Sequence, residues 1–404
     1  MSFNNSILKT LAGPLRTGAL PRLLSLALLM GFTSNVALAW GPLALPKDFE
    51  KKYSETFAVD GSGTVRLENR YGEIRVETWT RDEVKIDVVI RVSADDQEEA
   101  DDTFDRIRID FVSSGNSAAA TTNIGDRSRK GGGWFRDLVN GNWGWNNNSS
   151  NDFKVYYSVK MPAAADLTTT AKYCDVTLPD LSGETNLSIG YGDLFAGDLT
   201  GPRNNVTVSY GSARISTLAG RSELRVRYSE GSINEAGDLR YDGRYSDFRL
   251  GTVGELNLDI GYEDVEIESA AEIRMDGNYN DVEVEKVGTL IVDGNYNEWS
   301  VGVVEKELEV ESSYGDFEVD RLASGFTRVY VRTSYIDVEI DVDGDAGYDL
   351  DLRTRYGDIS YDRERARNVN TDRNGSSRTV IASVPGKGSG KIDISTSYGD
   401  IEIN

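Results

Sequence analysis

The sequence predicts an all-β protein: a parallel β-helix, or β-solenoid, with about 17–21 residues per rung and an N-terminal cap of strands and one short helix. Three observations predict it. Tyrosines recur at Tyr173, Tyr191, Tyr210, Tyr228, Tyr245, Tyr262, Tyr279, Tyr296, Tyr314, Tyr335, Tyr356 and Tyr398, spaced by 17 to 21 residues except for a last step of 42, and an earlier copy stands at Tyr71. An acidic residue follows two positions after the tyrosine in twelve of these thirteen units, Ser212 being the exception. Apolar residues alternate on both sides, as in Leu256/Leu258/Ile260 before Tyr262 and Val265/Ile267 after it. Alternation with period two turns one face of each strand inward and the other to water. Each unit therefore reads as strand, tight Tyr-x-Asp turn, strand, second turn. An antiparallel meander would also give short alternating strands, but it has no need to repeat one turn residue in one place. Rungs stacked in parallel register do. At about 4.8 Å per rung, a dozen rungs make a rod about 60 Å long.

The elements follow in chain order. Lys9, Arg16 and Arg22 precede the apolar run Leu23-Leu24-Ser25-Leu26-Ala27-Leu28-Leu29-Met30, and Ala37-Leu38-Ala39 follows it. That run is shorter than the ~20 apolar residues that span a bilayer, and with its flanks it reads as a secretory signal, residues 1–39. The mature chain is then expected to start at Trp40, with no later membrane span. Residues 40–165 are expected to cap the solenoid, because an open end would leave unpaired strand edges. Within them, Thr64-Val65-Arg66-Leu67, Ile74-Arg75-Val76-Glu77 and residues 83–90 read as strands. Ser93 reads as the N-cap of a short helix over residues 93–100. Residues 107–112 and 153–160 are two further strands. Residues 126–151, rich in Gly, Asn and Trp, form a long loop between them. Residues 166–404 are the repeats.

Composition narrows the function. The chain carries 44 basic against 67 acidic residues, a net charge of −23. A surface so acidic repels phosphate backbones and anionic lipid heads, which argues against nucleic-acid binding. There is no histidine, which removes the commonest general base and transition-metal ligand. The lone Cys174 forms no internal disulfide; it stands where the repeat often has Gly and reads as a small filler, with an intermolecular disulfide as the alternative.

Several segments together resemble the bacterial exported β-strand-repeat proteins labelled "putative adhesins", relatives of autotransporter adhesin head domains. They are Asn69-Arg70-Tyr71-Gly72-Glu73-Ile74-Arg75-Val76-Glu77-Thr78-Trp79, the charged helix after Val92, Val159-Lys160-Met161-Pro162, the Tyr-Gly-Asp turns, and Ser397-Tyr398-Gly399-Asp400-Ile401-Glu402-Ile403-Asn404. The resemblance implies a β-helix-like fold outside the cytoplasm, periplasmic or at the cell surface, and brings no catalytic residues with it.

Four features are candidate sites. A ladder of Asp247, Asp264, Asp281 and Asp316 would place like charges one rung apart, where they repel by about 1 kcal/mol even in water. Either each carboxylate accepts turn N–H groups, or a row of calcium ions neutralises them; the first is expected, and no other cofactor. The tyrosines share the parity of the inward residues before them, which predicts a stack lining one corner of the core, with a sugar-binding stripe as the alternative. Trp134, Phe135, Trp143 and Trp145 lie in the Gly/Asn loop and are expected either to contact a partner or to cover the solenoid. Arg363, Arg365, Arg367, Arg373 and Arg378 read as a solvated insertion that accounts for the 42-residue step, or as a dock for an acidic partner. Residues 386–391 mimic a phosphate loop, but Pro385 holds the first Gly position and Ile392 follows Lys391, so the Walker pattern fails.

The expected function is a non-enzymatic binding or structural module of the bacterial envelope, with an envelope protein or a glycan as partner. The alternatives are a carbohydrate-active β-helix enzyme working with paired carboxylates and an envelope-stress regulatory component.

Overall fold

The computed structural model describes residues 47–125 and 152–404. Successive repeats pair in parallel and in register. Val206 lies beside Leu224, Leu224 beside Tyr241, Tyr241 beside Leu258 and Leu258 beside Met275. The wall that follows each tyrosine behaves likewise, Ile215, Ile233, Leu250, Ile267 and Val284 forming one column. These inward residues are almost fully buried and join one continuous core. Each Leu, Ile or Val so buried contributes roughly 1.5–3 kcal/mol. The meander is ruled out, and the solenoid is the fold.

The stacking order departs from the chain order at the C-terminal end. The Tyr335 rung, Arg328–Ser334 and Val338–Val342, pairs with Lys387–Ser397 and Ile401–Ile403. Those strands pair in turn with Ala346–Arg355 and Ile359–Tyr361. The Tyr398 rung is thus sandwiched between the Tyr335 and Tyr356 rungs. The 42-residue step is the length of a rung plus a hairpin. Ser377–Val384 runs antiparallel along Ala346–Arg355, and Arg367–Asn374 runs antiparallel along Ser377–Val384. The expected arginine-bearing insertion loop is therefore a strand pair that closes this end. Its outermost strand, Arg367–Asn374, is exposed at every residue, and its polar, charged side chains discourage further pairing.

At the other end, Thr64–Trp79 bends at Tyr71 and lies parallel to Asp166–Leu178, so the Tyr71 rung sits on the Tyr173 rung. Ser117–Ile124 and Asp152–Pro162 cover the two halves of its far side. Glu83–Ala94 pairs antiparallel with Asp152–Pro162, and Lys47–Ala58 with Glu83–Ala94. Ile107–Ser113 pairs with Ser117–Ile124. Lys47–Ala58 and Ser117–Ile124 were not expected from the sequence. The helix spans Gln97–Phe104 and its cap is Asp96, whose Oδ1 accepts from Glu99 N at 3.0 Å. Ser93 is not the cap, because its backbone stays in the ladder opposite Asp48 and Asp152. Among the described residues, no helix is long and apolar enough to cross a membrane.

Candidate functional site

The site is a corner, and its shape follows from one backbone angle. All thirteen repeat tyrosines have positive φ, between 51° and 65°. For an L-residue this left-handed conformation costs roughly 1–2 kcal/mol. It reverses the inward–outward alternation within one residue, so the ring points out, the next residue points in, and the acid after it points out. The corner is therefore not lined by tyrosines on its inner side, as parity had suggested. From Tyr191 onward the rings are about half exposed. The phase shift through the turn begins at the tyrosine itself.

Outside, the rings form one unbroken column. Tyr71 stacks on Tyr173 with centroids 5.2 Å apart, and Tyr173 on Tyr191 at 4.8 Å. From there to Tyr335 the separations are 4.8–5.0 Å. Tyr398 then stands 4.8 Å from Tyr335 and 4.7 Å from Tyr356. Each stacked pair contributes about 0.5–1.5 kcal/mol beyond the area it buries, which offsets much of the backbone cost. Because each ring covers its neighbours' faces, the column shows solvent its edges and hydroxyls. Tyr71, at one end, has the edge of Phe153 against it at 5.7 Å. A sugar-binding stripe needs ring faces, and this geometry withholds them.

The inward residue of the turn explains the Tyr-Gly-Asp pattern. At Gly192 and Gly211 a Cβ would stand 2.1 and 2.0 Å from the carbonyl oxygens of Cys174 and Gly192. Mid-rod the same position is polar and buried: Ser229, Ser246, Glu263, Asn280 and Asn297. They satisfy one another between rungs. Ser246 Oγ accepts from Ser229 N at 3.2 Å, and Asn280 Oδ1 from Glu263 N at 3.1 Å. Glu263 Oε2 accepts from the Tyr241 hydroxyl at 2.8 Å, while Oε1 is buried without a hydrogen-bond partner. Burial pushes the Glu263 carboxyl up to about 7, against the pull of Arg227 and Arg244. Cys174 occupies this inward column too; burial pushes its thiol up to about 12, which makes it a filler and a poor nucleophile.

The outward carboxylates also form a column, with Asp247 beside Asp264 and Asp264 beside Asp281. Toward both ends of the rod they accept turn N–H groups from the next rung. Asp175 Oδ1 accepts from Asp193 N at 3.0 Å, Asp193 Oδ1 from Ser212 N at 3.0 Å, Asp337 Oδ1 from Asp400 N at 2.8 Å and Asp400 Oδ1 from Asp358 N at 2.7 Å. Mid-rod, Asp264 is raised above the ordinary carboxylate range by burial, then by Asp281 and Asp247. Among the described residues, no three His, Cys, Asp or Glu side chains converge to hold a metal ion, and that includes Asp316.

The remaining candidates divide. Trp134, Phe135, Trp143 and Trp145 lie outside the described residues. Of the C-terminal arginines, Arg363 lies over the Tyr361 ring and Arg365 donates to Ala346 O. Arg367 donates to three local carbonyls, and Arg378 binds Gly357 O and Asp358. Those contacts tie the hairpin to its own end of the rod. Along the wall after the corner, an open groove of about 400 Å³ is lined by Asn234, Arg249, Glu266, Glu268, Glu283 and Glu285. Glu266 stands beside Glu283 on the next rung, and Arg249 binds Glu266, so the groove holds like carboxylates side by side with one of them ion-paired.

Among solved structures, the chain is matched to a "putative cell adhesion protein" from Clostridium sporogenes, at 8% identity and a TM-score of 0.17, over 87% of this chain and 99% of that one. It is also matched to a "putative lipid binding protein" from Parabacteroides distasonis, at 11% identity and a TM-score of 0.24, over 72% and 94%. No curated protein matches the sequence. The Toastrack DUF4097 family model matches residues 139–404, nearly all of the stacked repeats. The chain belongs to the Toastrack DUF4097 family.

Proposed function

We propose that this protein is an exported, non-enzymatic rod of the bacterial envelope that binds a partner along its Tyr-x-Asp corner. One observation carries this reading: an unbroken column of half-exposed tyrosines beside a column of carboxylates, on a backbone that accepts an unfavourable conformation at every rung to put the rings there. A purely structural stack would sit inside the core. Aromatic side chains with a polar tip are the residues most enriched where proteins meet proteins. The wall carboxylates Glu266 and Glu283 lie side by side on adjacent rungs, which speaks against a glycosidase, whose two carboxyl groups have separated roles. Covered ring faces favour a protein over a glycan as the partner. Residues 1–39 would direct export, and Trp134, Phe135, Trp143 and Trp145 would supply a second contact.

The test is photo-crosslinking in cells. A photoreactive residue replacing Asp247 or Asp281 should trap a partner, and one replacing Glu255 or Glu272, away from the corner, should not. Adducts from all four positions alike, or only from the Trp-rich loop, would remove the corner from the reading. N-terminal sequencing of the envelope fraction should begin at Trp40, and a chain retained in the cytoplasm with Met1 intact would overturn export. A glycan array should be blank, and any signal lost on Tyr→Asn substitution in the column would restore the sugar stripe.

A further inference from the structure

The corner is polar across its width as well as periodic along its length. The chain enters it through the residue before each tyrosine and leaves it through the acid two positions after. The entry column reads Arg70, Lys172, Gly190, Ser209, Arg227, Arg244, Gly261, Asn278, Asn295, Ser313, Ser334, Ser397 and Arg355 in stacking order, five bases and no acid. The exit column is acidic in twelve of thirteen rungs. The tyrosine rings run between a basic-to-neutral flank and an acidic one.

We propose that the partner on this corner is a second copy of the chain, lying parallel to the first and related to it by a two-fold axis along the rod. The proposal rests on the reading of the corner as a binding surface and names its occupant. Three observations carry it. The first is area. Eleven of the tyrosines are between 43% and 53% exposed, and at roughly 100 Å² each they leave roughly 1,100 Å² of aromatic surface in one strip. A typical monomer leaves no contiguous apolar patch beyond roughly 300–600 Å². A stable pair buries about 800 Å² on each partner.

The second is period. Any contact made at one ring is offered again 4.7–5.0 Å further along. Another copy repeats at the same spacing, so a contact that fits one rung fits all of them. From Tyr191 onward neighbouring rings are tilted by only 1–9°, so each rung presents its ring in nearly the orientation of the next.

The third is charge, and it selects the symmetry. An axis along the rod sets the basic flank of each copy against the acidic flank of the other on the same rung: Arg227 against Glu230, Arg244 against Asp247, Arg355 against Asp358, with Arg227 and Arg244 shared between those acids and Asp242 and Asp259 of their own chain. An axis across the rod would set acid against acid throughout. Like charges facing at every rung oppose association. Isologous contact of the first kind satisfies both flanks at once.

The experiment is a charge exchange read by sedimentation or light scattering, on the full chain expressed and processed in a bacterial host. The unaltered protein should have twice its monomer mass. Arg227→Glu/Arg244→Glu makes both flanks acidic and should be monomeric alone; Glu230→Arg/Asp247→Arg makes both flanks basic and should also be monomeric alone. Mixed in equal amounts, the two should recover the doubled mass, which also shows that each is folded. A triple Tyr228→Asn/Tyr245→Asn/Tyr262→Asn variant, whose new residues tolerate the left-handed backbone, should be monomeric with an unchanged far-ultraviolet spectrum. A monomeric unaltered protein overturns the proposal, and so does a dimer indifferent to the charge-reversed or tyrosine variants. So does a dimer lost only on deleting residues 126–151, which would place the contact on the loop. A monomer that still crosslinks from Asp247 to another envelope protein would overturn this inference alone and leave the corner as a binding surface.

Discussion

Tyr241 donates its hydroxyl hydrogen to Glu263 Oε2 at 2.8 Å, and both side chains are buried inside the rod. Glu263 is the one acid in the inward column of the turns, with Ser246 before it and Asn280 after it. The rungs of Tyr245 and Tyr262 are joined through this pair.

The burial of Glu263 makes stability depend on pH, and the sign is fixed. Glu263 ionises near 7 in the folded chain against 4.5 ordinarily, so the folded state holds its proton more tightly. Its contribution is complete below pH 4.5 and is lost as pH rises through about 7. The difference corresponds to about 3 kcal/mol. The urea midpoint of the unaltered protein should fall between pH 5 and pH 8, and Glu263→Gln should remove most of that fall. An unchanged slope in the variant would assign the dependence to other groups.

The tyrosine conformation predicts an unusual order of substitutions. Tyr262→Asn keeps a residue tolerant of the left-handed backbone and loses two stacking contacts, for about 1–3 kcal/mol. Tyr262→Val loses the same contacts and adds a β-branched side chain at positive φ, for about 1–2 kcal/mol more. Denaturation should rank unaltered, Asn, then Val. Equal stability for the two variants would mean that the backbone angle is not held.

The interposed rung predicts a covalent test. Glu339 pairs with Glu402, and Glu402 with Ser360. Glu339→Cys/Glu402→Cys places two thiols on neighbouring strands within disulfide reach, and oxidation should link them and speed the band on a non-reducing gel. Glu339→Cys/Ser360→Cys places them two rungs apart and should stay open. Linkage in the second variant would mean that the rungs stack in chain order.

For the carboxylate column, chelation of divalent cations is expected to leave the melting temperature unchanged. Asp175, Asp193, Asp337 and Asp400 already hold backbone N–H groups, and the Arg249 charge acts on Asp264 mid-rod. A rise in melting temperature on adding calcium, lost in Asp264→Asn, would restore the cation ladder.

Much of this fold was legible because a parallel stack repeats its sequence in register: the Tyr-x-Asp period and the flanking alternation gave the walls, the core columns and the rung length. The corner was half legible. Stacking followed from the period, but the outward aim of the rings did not, because parity counted from Ile260 passes through Tyr262 without revealing its positive φ. The signal lay beyond the turn: Leu258 and Ile260 are inward on one parity and Val265 and Ile267 on the other, so the alternation slips by one residue between them. Ser93 looked like a helix cap because local pattern could not show that Asp48 and Asp152 pair with it. The order of the last rungs was hidden for a plainer reason: Tyr356 and Tyr398 have equivalent turns, and the hairpin between them has no counterpart in the repeat.

That order has a consequence for how the molecule is made. A solenoid whose layers follow the chain can zip up as it emerges, each new layer templated by the one before. Here the Tyr356 layer emerges before its native neighbour exists, and its near-identical turn fits the waiting Tyr335 layer. If the Tyr356 layer closes prematurely on the Tyr335 layer, that contact has to open before the later segment can thread in, which would slow the maturation of this end of the rod.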